Sequence, residues 1–110
     1  MLEMEKASQI LKLLGDKTRL SMLKVLENDE CCVCEFVEIF QASQPAVSQH
    51  LRKLKDAGLV KEKRKGHWVF YRLNEQYEYI DFVQSILAFL PDQKEQIIRL
   101  EKEGIRIQCE

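Results

Sequence analysis

The feature that most constrains this chain is a change of period at Gly58. Before it, apolar residues recur at three- and four-residue spacing in four short segments. After it they alternate with charged residues over two runs rich in β-branched and aromatic side chains. Helical and strand periods cannot share one element, so helices must hand over to a β-hairpin at this glycine. Residues 2–14 read as an amphipathic helix with Ala7, Ile10, Leu11, Leu13 and Leu14 on its apolar side and Gly15 as its stop. Asp16 caps a second helix, Lys17 to Glu27, with Leu20, Leu23, Val25 and Leu26 inward. A third runs from Val33 to Phe40. Ser43 caps a fourth, which carries Pro45 in its first turn and ends at Ala57. Strands follow at Leu59–Arg64 and His67–Leu73, with Lys65-Gly66 as the turn. A fifth helix is expected from Gln76 to Leu90, stopped by Pro91. A last one, behind an Asp92/Glu95 capping box, reaches Glu103 and stops at Gly104. The tail Ile105–Glu110 has no assignment.

The expected fold is therefore mostly α with a β-hairpin. Two short helices joined by a tight turn and followed by a basic hairpin make a winged helix-turn-helix layout. At 110 residues the chain is expected to form one domain over 1–110, with a core so modest that a partner subunit would add to its stability. Several function classes fall away. The longest apolar run, Phe82–Leu90, is too short to span a bilayer and contains Gln84 and Ser85. The opening Met1-Leu2-Glu3-Met4-Glu5 lacks the basic-then-apolar layout of a signal peptide, so a cytoplasmic location is expected. Four Gly, two His, no glycine-rich phosphate loop and little room for an enclosed cavity argue against an enzyme.

The net charge of −1 conceals a strong polarity. Residues 43–72 carry eight basic side chains against two acidic ones, net +6, while the other 80 residues carry nine against 16, net −7. A basic segment in an acidic chain fits a local nucleic-acid footprint. On the fourth helix Val47, Leu51 and Leu54 form a buried stripe, and the 100° rotation per residue puts Pro45, Gln49, Arg52 and Asp56 opposite. Gln44, Ser48 and Gln49 are short polar groups near the N-terminal end, where a major-groove helix reads base edges. Arg52 and Lys53 lie further along, where phosphates are the expected target. The hairpin supplies Lys63, Arg64 and Lys65, whose backbone contacts give affinity rather than sequence information. His50, at the edge of the stripe, reads as a packed structural histidine. Trp68, Phe70 and Tyr71 read as partly packed under the sheet rather than as base-stacking groups.

Cysteines stand at 31, 32, 34 and 109. Three within four residues of a chain without a secretory signal fit ligands or redox groups better than disulfides, because near-neighbour bridges are strained and cytosolic thiols are kept reduced. Cys32 falls at the N-cap of the third helix and Cys34 in its first turn. There Cys32 is not yet helical, so its sulfur can swing toward that of Cys34. The exposed N–H groups of a helix start favour thiolates, while Asp29, Glu30 and Glu35 oppose them by like charge. Thiolates of this kind select soft ions.

Four motifs in order resemble the ArsR/SmtB metalloregulators: Gly15-Asp16-Lys17-Thr18-Arg19-Leu20, Glu30-Cys31-Cys32-Val33-Cys34-Glu35, Ser43 to Leu51 (SQPAVSQHL), and Gly58-Leu59-Val60. The resemblance spans roughly residues 5–90, and the Cys32-Val33-Cys34 element is similar to the inducer site of the arsenic-sensing ArsR branch. It implies a homodimeric winged-helix repressor that leaves its operator when As(III) or Sb(III) binds Cys32 and Cys34. Some arsenic sensors place a third cysteine where this chain has Val37, so Cys31 or Cys109 must complete a three-thiolate site. Cys31 ranks first because it is tethered beside Cys34 and would share a face with it if the helix began one turn earlier; Cys109 reaches only if the last helix folds back toward the third. The family often has Pro where this chain has Lys17. No cysteine precedes Cys31, which argues against the cadmium- and lead-sensing branch. No histidine follows His67, which excludes the zinc site on the helix after the wing despite Glu78 and Asp81.

The fifth helix is apolar on more than one face, through residues such as Tyr79, Phe82, Ile86 and Phe89, and with the first helix it is the expected dimer interface. Dimerisation through the N- and C-terminal helices would present two recognition helices to successive major grooves. The expected switch is a population shift in which the ion draws Cys32 and Cys34 together, distorts the start of the third helix and moves the recognition helix attached to it. Two rivals stand beside this reading: a redox-sensing winged-helix repressor acting through the same thiols, and, from another class, a small thiol metal carrier. The carrier lacks a basic partner for its thiols, since His50 and His67 belong to the DNA-binding segment.

Overall fold

A computed structural model of the chain describes residues 1–104. The elements run α1 (Met4–Leu14), α2 (Lys17–Leu26), β1 (Cys31–Cys32), α3 (Val33–Phe40), α4 (Gln44–Asp56), β2 (Val60–Lys65), β3 (Trp68–Leu73), α5 (Ile80–Leu87) and α6 (Lys94–Lys102). The strands form an antiparallel sheet in the order β1-β3-β2, with Val60 opposite Leu73 and Lys65 opposite Trp68. The layout is a winged helix: α3 and α4 form the helix-turn-helix and β2–β3 the wing.

The caps follow their residues. Asp16 accepts the Arg19 N–H at 3.0 Å and opens α2, and Ser43 accepts the Ala46 N–H at 3.3 Å and opens α4. Gln41, at the end of α3, takes a left-handed conformation (φ 51°) and turns the chain toward α4. At the far end of α4, Gly58 (φ 87°) closes a Schellman turn: its N–H bonds the Lys55 carbonyl and that of Leu59 bonds Leu54, both at 2.9 Å. The hydrophobic centre, with Met22, Leu23, Phe36, Leu51, Leu54 and Leu59 fully buried, lies between α2, the helix-turn-helix and the sheet. No helix among the described residues is long and apolar enough to cross a membrane.

Four sequence expectations need correction. The wing turn is Gly66-His67, one residue later than expected, so Lys65 lies on β2 and the strands start one residue late. Gly66 at φ 62° supplies the positive angle that a two-residue hairpin turn requires. Helix α5 covers Ile80–Leu87 rather than Gln76–Leu90. Asn74 accepts the Gln76 N–H and donates to the Gly58 carbonyl at 2.9 Å, which holds the segment before α5 in turns, while Pro91 disfavours helix at Leu90. The α6 N-cap is Gln93, not Asp92; Asp92 instead accepts the Lys94 N–H at 2.8 Å. Strand β1 was not expected, because two residues carry no readable period.

Candidate nucleic-acid interface and thiol site

Val47, Leu51 and Leu54 seat α4 on the core with no exposure, so its opposite face is turned outward. That face presents Gln44, Pro45, Ser48, Gln49, Arg52 and Lys53, every one exposed. Short polar side chains occupy the N-terminal half and cations the C-terminal half, the order needed for base edges first and phosphates second. Arg52 also lies 3.8 Å from Asp56 on the same helix.

On the wing, Lys63 and Arg64 are exposed next to the turn. Lys65 differs: its side chain is half-buried, ion-paired with Glu30, and sits 5.2 Å over the Phe70 ring. Lys55 and Glu62 pair at 2.6 Å and tie α4 to β2. That bond pulls the Glu62 carboxyl below its ordinary range and raises Lys55.

His50 is a structural histidine. Arg19 Nη1 donates to His50 Nδ1 at 3.3 Å, and Nε2 faces Asp16 Oδ1 at 4.0 Å. Arg19 Nε donates to the Leu13 carbonyl at 2.7 Å, so one guanidinium links the end of α1 to the recognition helix. Asp16 is held below the usual carboxylate range, first by the Arg19 N–H and then by the charges of His50 and Arg19.

Cys32 is the N-cap of α3, with extended backbone at φ −94°, and Cys34 lies in the first turn, exposed. Cys31 and Cys32 are buried. Cys32 and Glu35 cap each other: the thiol takes the Glu35 N–H, and the buried Glu35 carboxylate accepts the Cys32 N–H at 2.9 Å. Burial pushes the Cys32 thiol up to about 12, and the Glu35 carboxylate adds to that, while the Glu35 N–H pulls the other way. Desolvation thus outweighs the thiolate preference expected of a helix start, and Cys32 is a neutral thiol.

Cys31 lies in β1 opposite Tyr71 and belongs to the core. Because α3 begins at Val33, the extra turn that would align Cys31 with Cys34 does not form. Among the described residues no three Cys, His, Asp or Glu side chains gather closely enough to hold a metal ion. Cys109 lies outside the described residues. Helix α6 does fold back on the third helix: Ile97 and Leu100 are buried, and Arg99 Nη2 reaches the Glu38 carbonyl of α3 at 3.4 Å. Glu35 and Glu30 were not singled out as site residues. The spacing Cys32-x-x-Glu35 was the available signal for the first; the pairing of Glu30 with Lys65 spans the helix-turn-helix and left none.

The family model for bacterial regulatory proteins of the arsR family matches residues 16–62. An uncharacterized HTH-type transcriptional regulator of Methanocaldococcus jannaschii is 47% identical over 89 residues, 80% of this chain and 94% of the relative. The arsenic resistance transcriptional regulator ArsR1 of Pseudomonas putida is 36% identical over 105 residues, 90% of this chain and 80% of the relative. Among solved structures, reduced HlyU from Vibrio cholerae superposes with a TM-score of 0.66 at 33% identity, covering 82% of this chain and 94% of that one.

Proposed function

Because the chain belongs to the ArsR family of bacterial regulatory proteins, we propose that it is a homodimeric, cytoplasmic repressor released from operator DNA by As(III) or Sb(III). The observation that carries the reading is the position of Cys32 and Cys34 at the start of α3, the helix packed against recognition helix α4. Gln44, Pro45, Ser48 and Gln49 face the bases; Arg52, Lys53, Lys63 and Arg64 face phosphates. The nature of the relatives, transcriptional regulators including one named for arsenic resistance, supports a non-enzymatic role.

The donor set fits a soft, thiophilic ion. Two sulfurs suit the pyramidal, lone-pair-bearing As(III) better than an oxygen-loving cation. A neutral thiol is no obstacle to arsenous acid, since each thiol proton leaves with an arsenic-bound hydroxyl as water. Cys32 must leave its buried position to share an ion with Cys34, and that movement disturbs the helix to which α4 is joined. Such a site is made on binding, and the binding energy that draws Cys32 out is the energy that shifts the DNA-binding equilibrium. The third sulfur comes from Cys31 or Cys109. Burial of Cys31 in the core weakens its claim, and the packing of α6 on α3 strengthens that of Cys109.

The test is release of an operator duplex, selected from a random pool by the wild-type protein, under strict reduction. As(III), Sb(III), Cd(II), Pb(II) and Zn(II) are titrated in parallel, with hydrogen peroxide in a metal-free arm. Release by As(III) and Sb(III) at the lowest concentrations supports the reading. Release by peroxide alone makes the protein a redox sensor, and failure to select any DNA favours the metal carrier.

A further inference from the structure

The wing residue Lys65 is directed toward the segment that leads into the thiol helix. Its ammonium is ion-paired with Glu30 and lies over the Phe70 ring at 5.2 Å, both acidic and basic side chains being about one-third exposed. Glu30 immediately precedes Cys31. Across the ladder Cys31 opposes Tyr71 and Cys32 opposes Phe70, so the ring beneath Lys65 is the ladder partner of the N-cap thiol. Chain entry to the thiol site and wing are thus joined twice within one small patch, once by backbone pairing and once by charge.

We propose that Glu30 and Lys65 are positioning residues whose ion pair fixes the wing to β1, so that the wing keeps its DNA-contacting attitude only while β1 stays docked. A phosphate role for Lys65 would require its ammonium to give up a carboxylate and an aromatic face together. It would also bring a phosphate up to the Glu30 carboxylate. The pair instead gives the thiol site a second route to DNA. One route runs through α3 and α4 to the bases; the other runs through β1 to the wing. Resting on the inducer reading above, drawing Cys32 out of its buried position strips β1 from β3 and frees the wing at the moment the recognition helix moves.

The decisive comparison uses no inducer. Glu30→Gln, Lys65→Gln and the double variant are measured for operator affinity over a range of salt, with far-UV circular dichroism to show that each is folded. If the pair positions the wing, each single variant weakens binding about threefold to tenfold, the double variant is no weaker than either single, and the salt slope stays at the wild-type value. Emission of Trp68, the only tryptophan and the residue opposite Lys65, shifts alike in both single variants. If Glu30→Gln leaves binding unchanged or tightens it, while Lys65→Gln lowers the salt slope by about one, Lys65 is a phosphate contact and the proposal is overturned. A wild-type protein that arsenite fails to release would sink the inducer reading and leave this comparison standing on its own result.

Discussion

Cys32 and Cys34 are two residues apart in opposite surroundings, one buried behind β3 and the other in solvent. With its thiol pushed up to about 12 by burial, Cys32 is held in its protonated form at pH 7. Iodoacetamide should therefore label Cys34 well before Cys31 or Cys32, as read by peptide mass spectrometry; equal labelling of Cys32 and Cys34 would contradict the buried N-cap. The same burial sets an alkaline limit on stability. The Cys32 thiol is raised from 9.0 to about 12, so the unfolded chain loses this proton first and stability falls as pH climbs through that window. Tyr71, Tyr77 and Tyr79 are raised too and act in the same direction. Urea midpoints from pH 8.5 to 10.5 should accordingly fall more steeply for the wild type than for Cys32→Ser; parallel curves would rule out the Cys32 contribution. At this scale the caps were legible, because Asp16, Ser43 and Cys32 act within three residues of themselves. The burial of Cys31 and Cys32 was not, because it is imposed by Tyr71 and Phe70 across the whole helix-turn-helix.

In the proposed function, recognition helix and wing divide the work of DNA binding. Helix α4 is held by an apolar stripe, a Ser43 cap and the Gly58 turn, so its polar face is rigidly presented. Gln49→Ala should cost roughly 1–3 kcal/mol at the operator and blur base preference, measured by binding to single-base operator variants. Unchanged preference would mean that α4 is turned differently toward the groove. Replacing Lys63 and Arg64 together with Ala should weaken all sequences alike and lower the salt slope by about one to two. Stripe and outward face of α4 were readable from Val47, Leu51 and Leu54 alone, because a long amphipathic helix repeats its signal three times. Helix α5 was overread at both ends. Its flanks are as apolar as its middle, so hydrophobicity could not mark ends that are set by the Asn74 side chain and by Pro91. Lys24 also bonds the Leu87 carbonyl at 2.9 Å, a cation at the last turn of α5 that no local pattern announced.

The proposed function couples the thiols at the start of α3 to the outward face of α4 and the wing. How they meet depends on contacts between distant segments: α6 packed on α3, Arg19 bridging α1 to α4, and β1 paired with the wing. Apolar side chains remain at the surface, with Leu11 of α1 half exposed and Phe89, just past α5, 90% exposed. These belong to the segments proposed for dimerisation. Leu11→Glu together with Phe89→Glu should weaken the dimer at least ~100-fold, since a charge would be buried without a partner. Sedimentation velocity reads the loss, and an unchanged dimer would move the interface elsewhere. The central claim is that thiol chemistry at the start of α3 controls DNA release, and fluorescence anisotropy of a labelled operator under strict reduction tests it most directly. Arsenite should release the wild-type protein and leave Cys32→Ser and Cys34→Ser bound, with all three proteins holding the operator equally tightly before arsenite is added. Release of either variant at the wild-type arsenite concentration would contradict the account.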